Sequence, residues 1–384
     1  MPTESTAESI SKKFSWLCYT VTFSLIIPIL AAILVYQLDS FESAPMPIHE
    51  LTHPLPTPTM KNDHILKGSE FLGVGQLLAP EDIVYDTGSK VIYTGCVDGW
   101  IKRVTINDSV ADSVVENWVH TGGRPLGLAL GHRGEVIVAD AYKGLLKISR
   151  NGAVELLTDE AEGVKFKLTD GVAVAEDGTI YFTDASHKYD LHDCMWDILE
   201  GEPHGRLLSY DPSTKKTQVL VHHLYFANGI AISPDQDYLV FSETPMGRCK
   251  KYYIHRNKKG RIEKFIDLPG LLDNIHYDGH GHFWIASATE ITYFWKLAFR
   301  YPIVRKAAAI YLKYIGPIEA QKSGGVFVVS LEGKLISHYY DPKLILISCG
   351  VKIGNHLYYG SILNPYIIRL DLAKYPAYAA TATT

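Results

Sequence analysis

Proton transfer would fall to histidines in this sequence. His187, His276, His280 and His282 are candidate general bases if the fold brings them to a cavity. A lone histidine is more often a turn or surface residue, so position decides. His276 has the best position: it lies two residues beyond Asn274, and on an extended strand the two side chains share a face. No GxSxG, P-loop or HExxH motif occurs, which removes the common nucleophile, phosphate and zinc-protease chemistries. No CxxC or Cys/His cluster at zinc spacing occurs either. Cys96, Cys194, Cys249 and Cys349 would be available to pair only in an oxidising compartment. Hard oxygen donors are the other resource. Glu81-Asp82, Asp170-Gly171, Asn228-Gly229 and Asp273-Asn274 each stand at the head of a short apolar run. Asp or Asn before Gly is ordinary turn chemistry, which accounts for Asp170 and Asn228 but not for Glu81 or Asp273-Asn274.

The elements that carry these residues recur. A short apolar strand, a turn and a second apolar strand appear as Glu81–Asp86 with Val91–Thr94, then Leu126–Leu130 with Val136–Asp140. The pattern continues as Asp170–Val174 with Ile180–Asp184, Asn228–Ile232 with Tyr238–Ser242, and Asp273–Tyr277 with His282–Ala286. A degenerate sixth copy spans Ile345–Val351 and His356–Gly360. Further strand-like runs follow most pairs, for example Trp100–Ile106, Arg206–Tyr210 and Thr217–Val221. Four strands per repeat at roughly 45–55 residues predicts an all-β six-bladed β-propeller. An N-terminal strand near Ile65–Leu72 is expected to complete the last blade and hide both edges. Ile291–Gly316 breaks the pattern with aromatic, basic and alanine residues around Pro302, and predicts a helical insertion in blade five that caps one face. Packing on the propeller is its expected role, with membrane-surface contact as the alternative.

The ordered motifs resemble those of the strictosidine synthase-like family and its paraoxonase- and gluconolactonase-related propellers. Phe226-Ala227-Asn228-Gly229-Ile230-Ala231-Ile232-Ser233-Pro234-Asp235 is similar to the blade-four motif, Pro80-Glu81-Asp82-Ile83 to the first-blade motif and Leu272-Asp273-Asn274-Ile275 to the blade-five motif. Asp170-Gly171-Val172-Ala173-Val174 with Tyr181-Phe182-Thr183-Asp184 resembles strictosidine synthase itself. The resemblance implies calcium or another divalent ion in the central channel, held by Glu81, Asn228 and Asp273 with Asn274 and Asp170 nearby. Oxygen donors suit that ion. Two positions depart from the pattern: Thr169 stands where hydrolytic members often carry Asn, and Leu126 where paraoxonases carry a histidine. The region Cys349–His356, where strictosidine synthase carries its glutamate, has no acid.

Composition frames the rest. The chain has 384 residues, 47% hydrophobic and 21% charged, with net charge −5, which excludes a disordered chain and a nucleic-acid binder that relies on bulk positive charge. Ser15–Tyr36 is a run of 22 residues without a charge, about 33 Å as a helix and enough to span a bilayer. Lys12 and Lys13 precede it and no Lys or Arg follows before Lys61, which predicts a cytoplasmic tail (1–14), a signal anchor (15–36) and a lumenal or extracellular body. The rival reading is a cleaved signal peptide, but the run exceeds the usual ~7–15-residue apolar core and no A-x-A site follows. Five prolines between Ala44 and Thr59 predict a stalk (37–63) that holds the propeller (64–374) off the membrane, with a C-terminal tail (375–384). Asn107-Asp108-Ser109 is a glycosylation sequon on that reading, and the family resemblance implies the endomembrane system, as endoplasmic reticulum, vacuole or cell surface. Three functions compete: metal-dependent hydrolysis of small esters or lactones, strictosidine synthase-type amine–aldehyde condensation, and non-enzymatic binding of a ligand or partner. His276 is the candidate base, and a small molecule is the expected substrate.

Overall fold

A computed structural model describes residues 16, 19, 21–47, 55–317 and 322–379. Six blade sheets, antiparallel but for one added strand in blade five, follow one another in sequence order around a channel. Blade one is Ile83–Asp86, Val91–Gly95, Trp100–Thr105 and Val114–His120, and blades two to four repeat this order of four strands from inside to outside. In blade six, Ser69–Leu72 pairs antiparallel with Ile367–Asp371, so the N-terminal strand closes the ring as expected. Blade five is larger: Met60–Asn62 joins its outer strand Leu335–Tyr340 in parallel, and Tyr378–Ala379 pairs with Met60–Lys61 beyond it.

Packing between blades explains the Gly residues in the motifs. Gly127, Gly171 and Gly229 lie in the innermost strands of blades two, three and four. An added Cβ at Gly127 would meet Asp170 O at 2.3 Å, at Gly171 Asn228 O at 2.7 Å, and at Gly229 Asn274 Cα at 2.4 Å and Asp273 O at 2.5 Å. Asp170-Gly171 and Asn228-Gly229 are therefore not turns. Glycine is needed because each inner strand touches the backbone of the next. That contact draws the ring tight around the channel.

A second repeated device fixes the entry to each inner strand. The acid ending the second strand accepts a backbone N–H from the incoming loop: Asp140 from Arg124 at 3.0 Å, Asp184 from Leu168 at 3.2 Å, Glu243 from Tyr225 at 2.9 Å. Asp184 also pairs with buried Arg206 at 2.6 Å, and Glu243 with Arg248 at 2.6 Å.

Among the described residues, four α-helices lie outside the blades. We label them α1 (Ile27–Leu38), α2 (Cys194–Glu200), α3 (Tyr293–Arg300) and α4 (Pro302–Tyr314). The insertion in blade five is thus two helices. Thr292 caps α3, its hydroxyl accepting from the Trp295 N–H, and Pro302 opens α4 at a position where its missing N–H costs nothing. Both α2 and the α3–α4 pair connect a second strand to a third. In an antiparallel blade that connection emerges at the end where the innermost strand begins, so these helices cap the face at which Glu81, Asp170, Asn228 and Asp273 sit.

The expected anchor falls partly outside the described residues, and two other expectations change. No helix among the described residues is long and apolar enough to cross a membrane. Thr22–Leu38 is helical, begins with a π-type turn and buries none of its side chains, while most of residues 1–20 lie outside the described residues. The stalk does not stand clear of the body at its two described ends. Ala44 N–H donates to Glu200 O at 2.7 Å, Ser43 donates to Leu199 O at 2.8 Å and Met46 is buried under the cap, while Met60–Asn62 is a strand of blade five. Carbonyls left open at the end of α2, and the basic side chains of α4, draw that polar, proline-rich segment in. Among the described residues Cys96, Cys194, Cys249 and Cys349 are free thiols, and Cys96, Cys249 and Cys349 are buried.

Candidate metal centre in the propeller channel

Each channel residue is delivered by the start of an inner strand. Glu81 and Asp82 immediately precede the inner strand of blade one, Asp170 lies in that of blade three, Asn228 in blade four, and Asp273 and Asn274 in blade five. All six are buried. Glu81, Asp170 and Asp273 each direct a carboxylate oxygen into one space, the three oxygens lying within 4.8 Å of one another. Asn228 hydrogen-bonds to Asp273, and Asn274 Nδ2 donates to Glu81 Oε1 at 2.7 Å. Glu81 Oε2 and Asn228 Oδ1 have no partner despite being buried.

Electrostatics make this cluster unstable as three anions. Burial, and then the charges of Asp273, Asp82 and Asp170, push the Glu81 carboxyl well above the usual range. Burial and repulsion from Asp170 do the same to Asp273, and Asp170 is pushed up to about 8 by burial and by Asp82 and Asp184. Buried Arg124 supplies partial relief to Glu81 and Asp170. Its guanidinium, however, donates to carbonyls, Ala79 O at 3.0 Å and Gly95 O at 3.2 Å. Repelling carboxylates with unpartnered oxygens fit a divalent cation, and an all-oxygen donor set fits calcium.

His276 sits lower in the channel. Its Nε2 hydrogen-bonds Asp82 Oδ1 at 2.7 Å, and Asp82 Oδ2 accepts the Leu128 N–H at 2.9 Å. His276, Asp82 and Asn274 line a cavity of about 220 Å³ that opens at the opposite, turn face of the propeller. His187, His280 and His282 do not reach the channel: His187 bonds to His204 O, and His280 and His282 lie beside Asp278. A larger groove of about 620 Å³ between blades two and three holds none of the channel residues.

On the cap side the cluster is covered. Leu168 and Leu271 each lie two residues before Asp170 and Asp273, and Phe226 two before Asn228. Together with Leu126, Trp295 and Phe299 they form an apolar plug. Sequence reasoning missed Arg124, and missed Asp82 as the partner of His276. Asp82 stands next to Glu81 in the first motif, but its histidine partner is 194 residues away. Asn107 is exposed, and its amide donates to Asp112 O at 2.6 Å.

The comparisons with known proteins agree with the ordered motifs. Family models for "Strictosidine synthase" and "Strictosidine synthase-like, N-terminal" match residues 170–257 and 61–104. Strictosidine synthase-like protein 4 of Arabidopsis thaliana is 56% identical over 92% of this chain and 96% of its own length. The chain belongs to the strictosidine synthase-like family. Among solved structures, a gluconolactonase from Xanthomonas campestris superposes with TM-score 0.57 at 16% identity, over 83% of this chain and 99% of its own. Regucalcin from Agrobacterium tumefaciens, described as a calcium-binding protein, gives TM-score 0.55 at 13% identity over 82% and 95%. At such identities these two show the propeller fold that the strictosidine synthase-like chain shares with them.

Proposed function

We propose that this strictosidine synthase-like protein is a membrane-tethered propeller that holds a divalent cation of the calcium class in its channel and hydrolyses small esters or lactones. The observation that carries the reading is the convergence of Glu81, Asp170 and Asp273 with the unpartnered oxygens of Glu81 and Asn228. These residues would hold the ion, with Asn274 orienting Glu81. A bound ion of this kind supplies carbonyl polarisation and charge stabilisation for acyl transfer. His276 is the base: with Nε2 turned to Asp82, its Nδ1 is left to take a proton from water in the turn-face cavity. The structural likeness to a gluconolactonase and to calcium-binding regucalcin is in keeping with this chemistry. The apolar helix before Asp39 is the tether, placing the body on the lumenal or extracellular side.

One observation favours a second reading, a propeller that binds a ligand without turnover. Leu126, Phe226, Leu271 and Trp295 close the cap side of the cluster. The condensing-enzyme reading has no such support, since the inner strand of blade six, Ile347–Ile353, carries no acid.

Unfolding temperature with and without chelator, together with turnover of aryl esters and lactones, tests the proposal. Calcium at about 100 times its dissociation constant should stabilise the wild type by about 2.7 kcal/mol. Asp273→Asn should remove that gain and the activity, and His276→Gln the activity alone. Stabilisation by metal without turnover selects the second reading. No metal-dependent change in the wild type sinks both the metal site and the hydrolase.

A further inference from the structure

The helix α4 is built inside out for a protein in water. A surface helix normally turns its charges outward and its apolar stripe inward. Here Arg305 is 0% exposed and Lys306 6%, while Ile303 is 61% exposed and Ile315, just past the helix end, 71%. Ile303, Ala307, Tyr311 and Tyr314 follow at i, i+4, i+8 and i+11 and form one outward stripe without a charge. The inward charges have specific partners. Arg305 donates to Leu199 O at 3.1 Å and Ala298 O at 2.6 Å, and also to Ala44 O. Lys306 pairs with Glu42 at 2.8 Å. Packing on the propeller therefore uses a face that carries Arg305 and Lys306 beside Ala308, Ala309 and Leu312, and a charge-free apolar stripe is left outside.

What covers that face is indicated by the neighbouring helix. Thr22–Leu38 is predominantly apolar and exposed, touching the body at half-buried Tyr36 beneath Lys306, which suits hydrocarbon and not water. Asp39, the first residue after α1, is held by Lys313 at 2.8 Å and by the Tyr314 hydroxyl at 3.1 Å, both at the end of α4. Asp39 marks where the apolar helix leaves the bilayer, so the end of α4 is pinned at that depth. Tyrosines beside isoleucines are the composition of the headgroup boundary, and exposed Lys296, Arg300 and Lys313 flank the stripe, suited to anionic lipid.

We infer that α4 lies flat in the bilayer interface on its Ile303–Tyr311–Tyr314 stripe, so that the capped face of the propeller is seated against the membrane instead of standing off it. The inference rests on the tether reading above but not on any catalytic role. Interfacial helices sink about 5–10 Å into the headgroup and acyl boundary. The test uses the full chain reconstituted in phosphatidylcholine–phosphatidylserine nanodiscs, with a fluorescent side chain placed at Ile303, at Leu30 or at Lys259, and lipids spin-labelled near the headgroup or at the chain end. Lys259 lies in an exposed turn on the opposite face. The expected result is a loss of fluorescence at Ile303 several-fold above that at Lys259 and greatest with the shallow label, and a loss at Leu30 greatest with the deep label. Quenching at Leu30 with Ile303 as unaffected as Lys259 overturns the seat while the tether stands, and leaves the stripe to a protein partner or a second copy. Absence of quenching at both Leu30 and Ile303 overturns seat and tether together.

Discussion

Gly229 shows how one residue type serves the whole channel. Its missing side chain lets the inner strand of blade four lie against Asp273 and Asn274. Gly229→Ala should destabilise the protein by about 1–3 kcal/mol through overpacking, and should also weaken the stabilisation by added calcium, because Asp273 is displaced. Thermal unfolding with and without calcium reads both. Half-buried His338 is a residue of another kind. It is stacked between Phe327 and Tyr340 with ring centroids at 4.0 and 4.3 Å, and its Nε2 has no partner. Burial pulls its pKa down from 6.5 to about 3. A histidine depressed in this way takes up its proton more readily when unfolded. Its neutral form therefore favours folding above pH 6.5, and that contribution is lost as pH falls from 6.5 toward 3. His338→Phe should flatten the fall in unfolding temperature over this window and leave the value at pH 8 nearly unchanged. An equally steep fall in the variant would show that other groups govern acid sensitivity.

At the scale of elements, the cap is held by very few bonds. Arg305 joins α4 to the carbonyls at the end of α2, of α3 and of the segment at Ala44. Arg305→Met keeps bulk but leaves those carbonyls unsatisfied, at a cost of about 1–3 kcal/mol. The loss should be local. Limited proteolysis is expected to cut within residues 291–317 faster than in the wild type, while the blades, which make few bonds to Arg305, unfold at nearly the same temperature. Equal cleavage rates would show that the apolar plug alone holds the cap. A helical insertion interrupted at Pro302 was legible in the sequence, and its division into two helices came from the structure. Its orientation was not. A period of 3.6 residues identifies a helix face but not which face turns inward, and buried carbonyls drew the basic one in.

For the whole molecule, the order of closure decides where the chain can be shortened. Ser69–Leu72 completes blade six, and residues 39–47 complete the cap. A chain beginning at Asp39 should fold into the full propeller. One beginning at Ser43 loses the Asp39–Lys313 and Glu42–Lys306 pairs and should keep the blades with a looser cap. One beginning at Gly73 leaves blade six open at its edge and should aggregate. Yield of monomer by size exclusion, with circular dichroism, ranks the three. Equal behaviour of the chains starting at Asp39 and Gly73 would remove the closing role of that strand.

Six copies of a strand–turn–strand pattern, the closing N-terminal strand and the insertion were all readable from local order, because strand period, turn chemistry and proline positions act over a few residues. The motif residues Glu81, Asp170, Asn228, Asp273 and Asn274 were readable too, but only as residues heading apolar runs. Their meeting depends on contacts between blades: Gly171 and Gly229 must admit a neighbour's backbone, which local sequence reads as a turn. The Asp82–His276 bond, the buried Arg124 and the packing of the proline-rich segment against α2 and α4 were decided by tertiary structure alone. Each joins groups far apart in the chain, and the deciding quantity is loss of water around a polar group. That quantity has no value until the neighbouring elements are in place.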